Sequence, residues 1–375
     1  MAGDPRRSPR RTLAVCALVV LSVLASGCGG SPASTGPLAT GPSTTGYPAA
    51  AERFLADYVT TDGRVLRHDQ GGDIVSEGQA YAMLLAEVAG RPTAVRTIWR
   101  WTAAHLQRPD GLLSYHASGS GDVEDANPAT DADVLCAYAL LRYRGAGEGA
   151  LHRAGRRIAT AVLAHESVSV RGAPVLVAGT WATAPPATVN PSYWMPGVFR
   201  ALAAFTGDKR WRAAATTAVR LVAQVTADGS RLPPDWAQLS GTALVPIAAP
   251  DGSAPVQYGL DAARLPVWFG TGCTPAAHRL AARWWSGPLS SVGNRGGLAL
   301  SLTGRPVNQG TNPLPVIAAA AGAAAAGQAG RSTTLRARAA VLARRTPTYY
   351  GDAWLALGDA LLDDSLDPCR EGRAG

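Results

Sequence analysis

Cysteine, histidine and long apolar runs are all scarce in this chain, and each shortage removes a class of protein. There are five cysteines in 375 residues. Past Cys28 only Cys136, Cys273 and Cys369 remain, in no metal-ligand spacing. The six histidines form no paired pattern of the HExxH kind, so a zinc enzyme is not expected. Cys273 and Cys369 could pair as a disulfide outside the cytoplasm, or all three thiols could stay free. The formal charge is +8, of which +3 falls in residues 1–27 (four arginines against Asp4). The remainder is scattered arginine with no basic block, which argues against a nucleic-acid partner. No 34- or 40-residue period marks an open helical solenoid.

The apolar run from Leu13 to Leu24 is too short for a permanent membrane span. It follows Arg6, Arg7, Arg10 and Arg11 and reads as a signal peptide over residues 1–27. Small residues lead into Cys28, as in Leu24-Ala25-Ser26-Gly27-Cys28, and this resembles the bacterial lipobox. The resemblance implies cleavage before Cys28, a lipid on its sulfur, and a place on the outer face of the cell membrane; plain secretion is the alternative. Past Cys28, residues 29–46 are, Leu38 apart, Gly, Ser, Thr, Pro and Ala without charge, the composition of a flexible tether, so that residues 28–46 read as one lipidated tether. Residues 47–375 are then expected to form one catalytic domain.

Within that domain, apolar residues recur at helical spacing near 48–60, 76–90, 92–107, 129–144, 148–165, 192–206, 208–226, 256–270, 274–286, 311–328, 331–345 and 350–363. Strand-like runs are confined to about 173–178 and 242–248. Twelve antiparallel helices predict an all-α fold, an (α/α)6 barrel of six helical hairpins. Inner helices of such a ring need small residues at their contacts, and Ala318 to Ala326 has that character.

Three acidic positions lie at or just before predicted helix starts. Glu77 follows Ser76, a candidate N-cap, in Ser76-Glu77-Gly78-Gln79. Asp131 and Asp133 stand in Ala129-Thr130-Asp131-Ala132-Asp133, after Asp122, Glu124 and Asp125. Five carboxylates so close repel unless a cation or a shared proton relieves them. Calcium is a rival reading, but the loop glycine and terminal Glu of the calcium-binding helix-loop-helix are missing. Asp261 lies in Tyr258-Gly259-Leu260-Asp261-Ala262-Ala263-Arg264, where Arg264 can pair with it one turn on. Singly, each acid reads as an ordinary cap or surface pair.

Together with Asn190-Pro191-Ser192-Tyr193 and Leu232-Pro233-Pro234-Asp235-Trp236, these blocks resemble glycoside hydrolase family 8, in order, from about residue 47 to 364. The resemblance implies an (α/α)6 barrel that hydrolyses β-1,4 glycans with inversion and needs no cofactor and no metal. It makes Glu77 the general acid, Asp261 the base that activates water, and Asp131 the carboxylate holding the sugar beside the broken bond. Inversion sets the acid and base roughly 6.5–9.5 Å apart, with room for water. Glu77 must hold a proton near neutrality, which burial or the charge of Asp131 could arrange, while Arg264 would keep Asp261 ionised. Tyr193 is a candidate to orient the water. Trp194 and Tyr115 are candidate sugar platforms, Tyr258, Asp133 and Arg264 further substrate-binding residues, and Asp235-Trp236 an anchor for one wall. Trp99, Trp101, Trp284 and Trp285 read as packing residues. Cys136, Tyr143 and Gly147, Ala82, and Tyr115 depart from the family pattern, which bears on sugar preference rather than reaction class.

The expected protein is a monomeric endo-β-1,4-glucanase acting on a cellulose-like polymer. Alternatives are the same mechanism on chitosan, xylan or mixed-linkage glucan, or a non-catalytic envelope protein that binds glycan. A lyase of related barrel shape would need a Tyr, His or Arg centre that these blocks do not show.

Overall fold

The computed structural model describes residues 47–290, 292, 298–308 and 310–371. The expected signal peptide, Cys28 and the expected tether fall outside them. Thirteen helices are described: α1 (Tyr47–Tyr58), α2 (Ser76–Val88), α3 (Pro92–His105), α4 (Thr130–Arg142), α5 (Glu148–His165), α6 (Pro196–Thr206), α7 (Arg210–Val225), α8 (Arg264–Gly270), α9 (Pro275–Ser286), α10 (Pro313–Ala325), α11 (Ala329–Arg345), α12 (Tyr349–Leu362) and α13 (Pro368–Glu371). The twelve expected helices are all present, and α13 is an addition.

Helix composition sorts them into two rings. In α3 only Val95, Ile98, Trp101 and Thr102 are buried, one stripe on an otherwise wet helix. In α4 every residue from Thr130 to Leu141 is buried, as suits a helix enclosed on all sides. The enclosed helices α2, α4, α6, α8, α10 and α12 pack in that order and close back from α12 onto α2. Each is backed by an outer helix: α3, α5, α7, α9 and α11 on the first five, and α1 on α12. This is the (α/α)6 barrel, and the N-terminal helix completes it against the last inner one.

Close approach in the inner ring rests on small residues. Ala318 to Ala321 and Ala323 of α10 have no exposure. A side chain at Gly270 of α8 would come within 2.8 Å of the Ala321 carbonyl oxygen, and one at Gly358 of α12 would run into Ile317. Alanine helices interlock here because no bulk holds the backbones apart.

The two ends of the barrel differ. Links from an inner helix to the next outer one are a few residues long, as at 89–91 and 207–209, where Gly207 takes the left-handed φ of 76° that ends α6. Links from an outer helix to the next inner one are long, except the three residues 346–348 before α12, and they hold the eight described strands. Strand β1 (Ile74–Val75) pairs antiparallel with β2 (His116–Ala117), and β2 with β3 (Val123–Asp125). The hairpin β4 (Ser167–Val170) and β5 (Ala173–Leu176) follows, then β6 (Ala187–Val189), β7 (Trp236–Ser240) and β8 (Ala243–Ile247) in one antiparallel sheet. More strand forms than sequence periodicity suggested, because two- and three-residue strands give no alternation to read. Every inner helix but α12 therefore starts beneath a long loop, and the helix N-termini, with their positive dipole ends, line one mouth.

The helix expected over 256–270 is shorter, since Pro266 would interrupt it; starting at Arg264 puts that proline in the first turn, where no donor is needed. At the barrel's other end, Cys273 and Cys369 form a disulfide that ties α13 to the link between α8 and α9, and Cys136 is free and buried. The bond spans 96 residues, and a loop of that size carries about 4–5 kcal/mol of denatured-state entropy. Reduction under native conditions should lower the melting temperature by several degrees in calorimetry, and Cys369→Ser should reproduce the shift without a reductant.

Candidate active site

The mouth is organised by one side chain from α8. The Arg264 guanidinium is 2% exposed and meets three carboxylates: Nη1 donates to Glu77 Oε2 at 2.9 Å and to Asp131 Oδ2 at 2.6 Å, and Nη2 to Asp261 Oδ1 at 3.0 Å. Nη2 also donates to Ser192 Oγ at 2.7 Å. The Ser192 hydroxyl donates on to Asn190 Oδ1 at 2.7 Å, and Asn190 Nδ2 donates to Asp261 Oδ2 at 2.9 Å. Residues from α2, α4, the 190–193 turn and the start of α8 are thereby fixed on one planar fork.

Each motif is explained by what its members touch. In Ser76-Glu77-Gly78-Gln79, Glu77 faces the mouth. A side chain at Gly78 would come within 2.5 Å of the Tyr349 hydroxyl of α12. Buried Gln79 accepts from Val65 N at 2.7 Å and donates to Gly63 O at 3.0 Å and Thr102 Oγ1 at 2.8 Å, holding the loop beside α2. Ser76 does not cap the helix. Val75 is the N-cap residue, Ser76 Oγ has no protein partner, and Ser76 N instead donates to Tyr115 O at 2.9 Å, so the preceding strand ends the helix and not a hydroxyl.

Asp235 does for Asp261 what a helix would have done. Its Oδ1 accepts from Gly259 N and Ala262 N, each at 2.8 Å, and its Oδ2 from Gln257 Nε2 at 3.1 Å. That clasp shapes the turn carrying Asp261, and Gly259 is required because a Cβ there would run into the Asp235 carboxyl. Burial, then the charge of Asp261, pushes Asp235 up to about 6.

One cation cannot neutralise three carboxylates. Glu77 is pushed up to about 8, first by burial and then by the charge of Asp131, against the pull of Arg264. Asp261 is raised as well, by burial and by the charge of Asp131, against the pull of Arg264 and the Asn190 amide. Glu77 is thereby fitted to hold a proton near neutrality. Asp261 is the more open, with 35% of its side chain exposed against 17% for Glu77 and 4% for Asp131.

All three acids border a cavity of about 360 Å³ that is also lined by Tyr115, Tyr193, Trp181, Trp236 and Asp125. The Tyr193 ring lies 5.2 Å from the Arg264 guanidinium carbon. Tyr193 and Trp236 have centroids 6.4 Å apart, as do Trp236 and Trp181, and Trp181 is 45% exposed. An aromatic lane therefore leads out from the acids, with Tyr115, 37% exposed, also at the cavity.

Three expectations need correction. Trp194 is 1% exposed and spends its indole N–H on Leu176 O at 2.9 Å, so it packs and is no platform. Tyr258 is 1% exposed beneath the Asp261 turn, its hydroxyl without a protein partner. Asp133 is fully buried and accepts from Leu113 N at 2.9 Å, two residues along α4 from Asp131 and thus on another face of the helix. Trp181 and Asn190 join the site without a sequence signal of their own: Trp181 sits in Thr180–Ala182, a lone turn with no pattern around it, and Asn190 opens the Asn190-Pro191-Ser192-Tyr193 block. Among the described residues no group of three or more His, Cys, Asp or Glu is placed to hold a metal.

A closed ring of helical hairpins thus presents paired carboxylates at its loop-rich mouth. The chain belongs to glycosyl hydrolases family 8, whose profile matches residues 36–283. It is 32% identical over 235 residues to a protein named probable endoglucanase from Novacetimonas hansenii, covering 58% of this chain and 64% of that one. An endoglucanase from Cellulomonas uda is 29% identical over 226 residues, with 59% and 62% covered. The chain thus matches a little under two thirds of the length of these relatives. Among solved structures, the endo-β-1,4-glucanase of Acetobacter xylinum superposes with a TM-score of 0.69 at 27% identity, over 85% of this chain and 98% of that one. The β-1,3-1,4-glucanase of Paenibacillus sp. X4 shares the fold with a TM-score of 0.75 at 20% identity, over 84% and 90%.

Arg264→Met should strand buried carboxylates and cost about 3–5 kcal/mol in denaturant unfolding. Arg264→Lys keeps the charge but loses the fork, so turnover should fall by roughly a hundredfold or more while far-UV circular dichroism stays native.

Proposed function

We propose that the chain is an inverting endo-β-1,4-glucanase acting on a cellulose-like polymer, with Glu77 as acid, Asp261 as base and Asp131 as the sugar-holding carboxylate. The observation that carries this reading is the placement of Glu77 and Asp261 on the two arms of one guanidinium beside a shared cavity. Their hydrogen bonds to Arg264 bound the carboxyl oxygens at no more than about 8 Å apart, within reach of the separation that inversion uses. The endoglucanase names of the relatives support the substrate class.

In the reaction, a glucan chain lies along the cavity with its sugar faces on the aromatic lane, an arrangement open at its outer end and suited to internal cleavage. Glu77 gives its proton to the glycosidic oxygen as the bond to the anomeric carbon breaks. A water beside Asp261 loses a proton to that carboxylate and attacks the same carbon from the opposite face. Positive charge builds on the ring in between, where Asp131 grips its hydroxyls and holds a distorted shape, so binding strengthens toward the transition state. Tyr193, packed on Arg264, orients the ring or the water. Solvent then returns a proton to Glu77 and removes one from Asp261.

We also propose that the protein is exported as a monomer and held at the outer membrane face by a lipid on Cys28, with residues 29–46 as its tether. The lipobox-like run supports this, and fatty-acid labelling that persists in Cys28→Ala would refute it.

Proton NMR during hydrolysis of a soluble cellulose derivative should show the α-anomer first; β-anomer as the initial product would remove the inverting mechanism. Glu77→Gln and Asp261→Asn should each lower kcat by about 10²–10⁴ with folding intact. Because Glu77 works protonated and its pKa is raised to about 8, kcat/KM should decline as pH rises through that value, and on the acid side as Asp261 takes up a proton.

A further inference from the structure

Three of the side chains around the cavity are carried by one small sheet. Glu77 follows β1 by two residues, Tyr115 directly precedes β2, and Asp125 ends β3. Strand β2 lies between the other two. The Tyr115 backbone is joined to both flanks: its carbonyl accepts from Ser76 N at 2.9 Å, and its N–H donates to Asn127 O at 2.8 Å. Strands of two and three residues make few ladder hydrogen bonds, so side-chain ties across them carry much of the sheet's cohesion.

One side chain ties all three strands. His116 Nε2 lies 2.8 Å from Oδ2 of Asp73, one residue before β1, and His116 Nδ1 lies 3.4 Å from Glu124 Oε2 on β3. His116 pairs with Asp125 and Ala117 with Val123, so Glu124 is the extra residue of a β-bulge, and its carboxyl reaches the ring. Arg67 grips Asp73 as well, its Nε donating to Oδ1 at 2.8 Å and its Nη2 to Oδ2. Burial would raise Asp73, but the hydrogen bonds from Arg67 and His116 outweigh it and hold the carboxyl below its usual range. An ionised carboxylate only accepts, so the nitrogen facing Asp73, Nε2, bears a proton. In a neutral ring Nδ1 then turns a lone pair toward Glu124, acceptor against acceptor; only the charged ring donates on both sides. The other titratable groups around it are Asp125, opposite on β3, and Tyr115, whose ring centroid is 6.0 Å from that of the imidazole.

We propose that charged His116 staples β1 and β3 to β2 and is thereby a positioning residue for the glucan, setting the wall of Tyr115 and Asp125 beside Glu77, while its neutral form releases β3. Glucan as the ligand of this wall comes from the reading above, and the positioning role rests on it; the two-sided clamp does not. Glu124 and Asp125 are neighbours in β3, so release of Glu124 loosens the strand that carries Asp125. Glu77 is held separately by Arg264. Bond cleavage therefore keeps its geometry, and affinity for the sugar follows the charge of the ring.

The test has two arms. With 15N-labelled histidine, NMR at high pH should show the neutral His116 ring protonated on Nε2, its signal assigned by its loss in His116→Gln. The ring should also lose its second proton at lower pH in Glu124→Gln than in wild type. A neutral ring protonated on Nδ1, or deprotonation at the same pH in both proteins, would overturn the clamp. The second arm measures binding of a soluble cello-oligosaccharide by calorimetry at pH 5.5 and 8.5 in Glu77→Gln, which removes both cleavage and the titration of Glu77. The dissociation constant should rise about fivefold between the two conditions as the ring loses its charge. Adding Glu124→Gln should keep that rise below about twofold, since an amide donates to a neutral Nδ1 and accepts from a charged one. An equal rise with and without Glu124→Gln would overturn the positioning role. In the active enzyme at pH 5.5, His116→Gln should raise KM about fivefold and leave kcat within about twofold; a fall in kcat at unchanged KM would overturn it equally. Should no protein, wild type included, bind or cleave a glucan while the ring spectra come out as described, the hydrolase reading fails and the clamp stands.

Discussion

The mouth of this barrel depends on the burial of a single guanidinium among three carboxylates. Arg264 is 2% exposed, and Glu77, Asp131 and Asp261 reach it from different parts of the ring. A buried arginine is tolerable only if its donors are used, and five donors on a rigid plane dictate where the acceptors stand. One positive charge against three negative ones leaves an imbalance that only a bound proton resolves. The same contacts that fix the acids in space therefore also leave Glu77 raised to about 8 and able to hold a proton near neutrality.

The ring supplies what this centre needs. Six enclosed helices begin at the same end, so their positive dipole ends gather under the long loops. Glu77 and Asp131 are each second in their helix, where an acid is favoured before any function is considered. Small residues in α8, α10 and α12 keep the ring tight enough that a side chain from α8 spans to α2 and α4. Long loops carry the sheets and the aromatic lane without disturbing that packing, because they join the ring only at one end.

Much of this was legible in the chain. Enclosed and half-wet helices differ in composition, and twelve periodic stretches with short breaks leave few arrangements besides a closed set of hairpins. Glu77, Asp131 and Asp261 could be named because their neighbours match an ordered series of blocks, and Asp235 could be read as a wall anchor. Strands of two or three residues could not, since alternation needs more length than they have. Trp194 and Tyr258 misled for a related reason: an aromatic inside a matched block is as often the packing beneath a site as its surface.

Periodicity and local chemistry within a few turns of chain are enough to specify the helical ring, the order of the acidic blocks and the helix-start positions of two of the three acids. The closed fold was needed to show that Arg264, which reads as a local partner of Asp261 one turn away, also holds Glu77 from 187 residues and Asp131 from 133 residues upstream. It decided likewise that Asp133 is buried against the Leu113 backbone while Asp131 borders the mouth. Both outcomes depend on how much water and which charges surround each carboxyl, and those are set by helices that meet only when the ring closes.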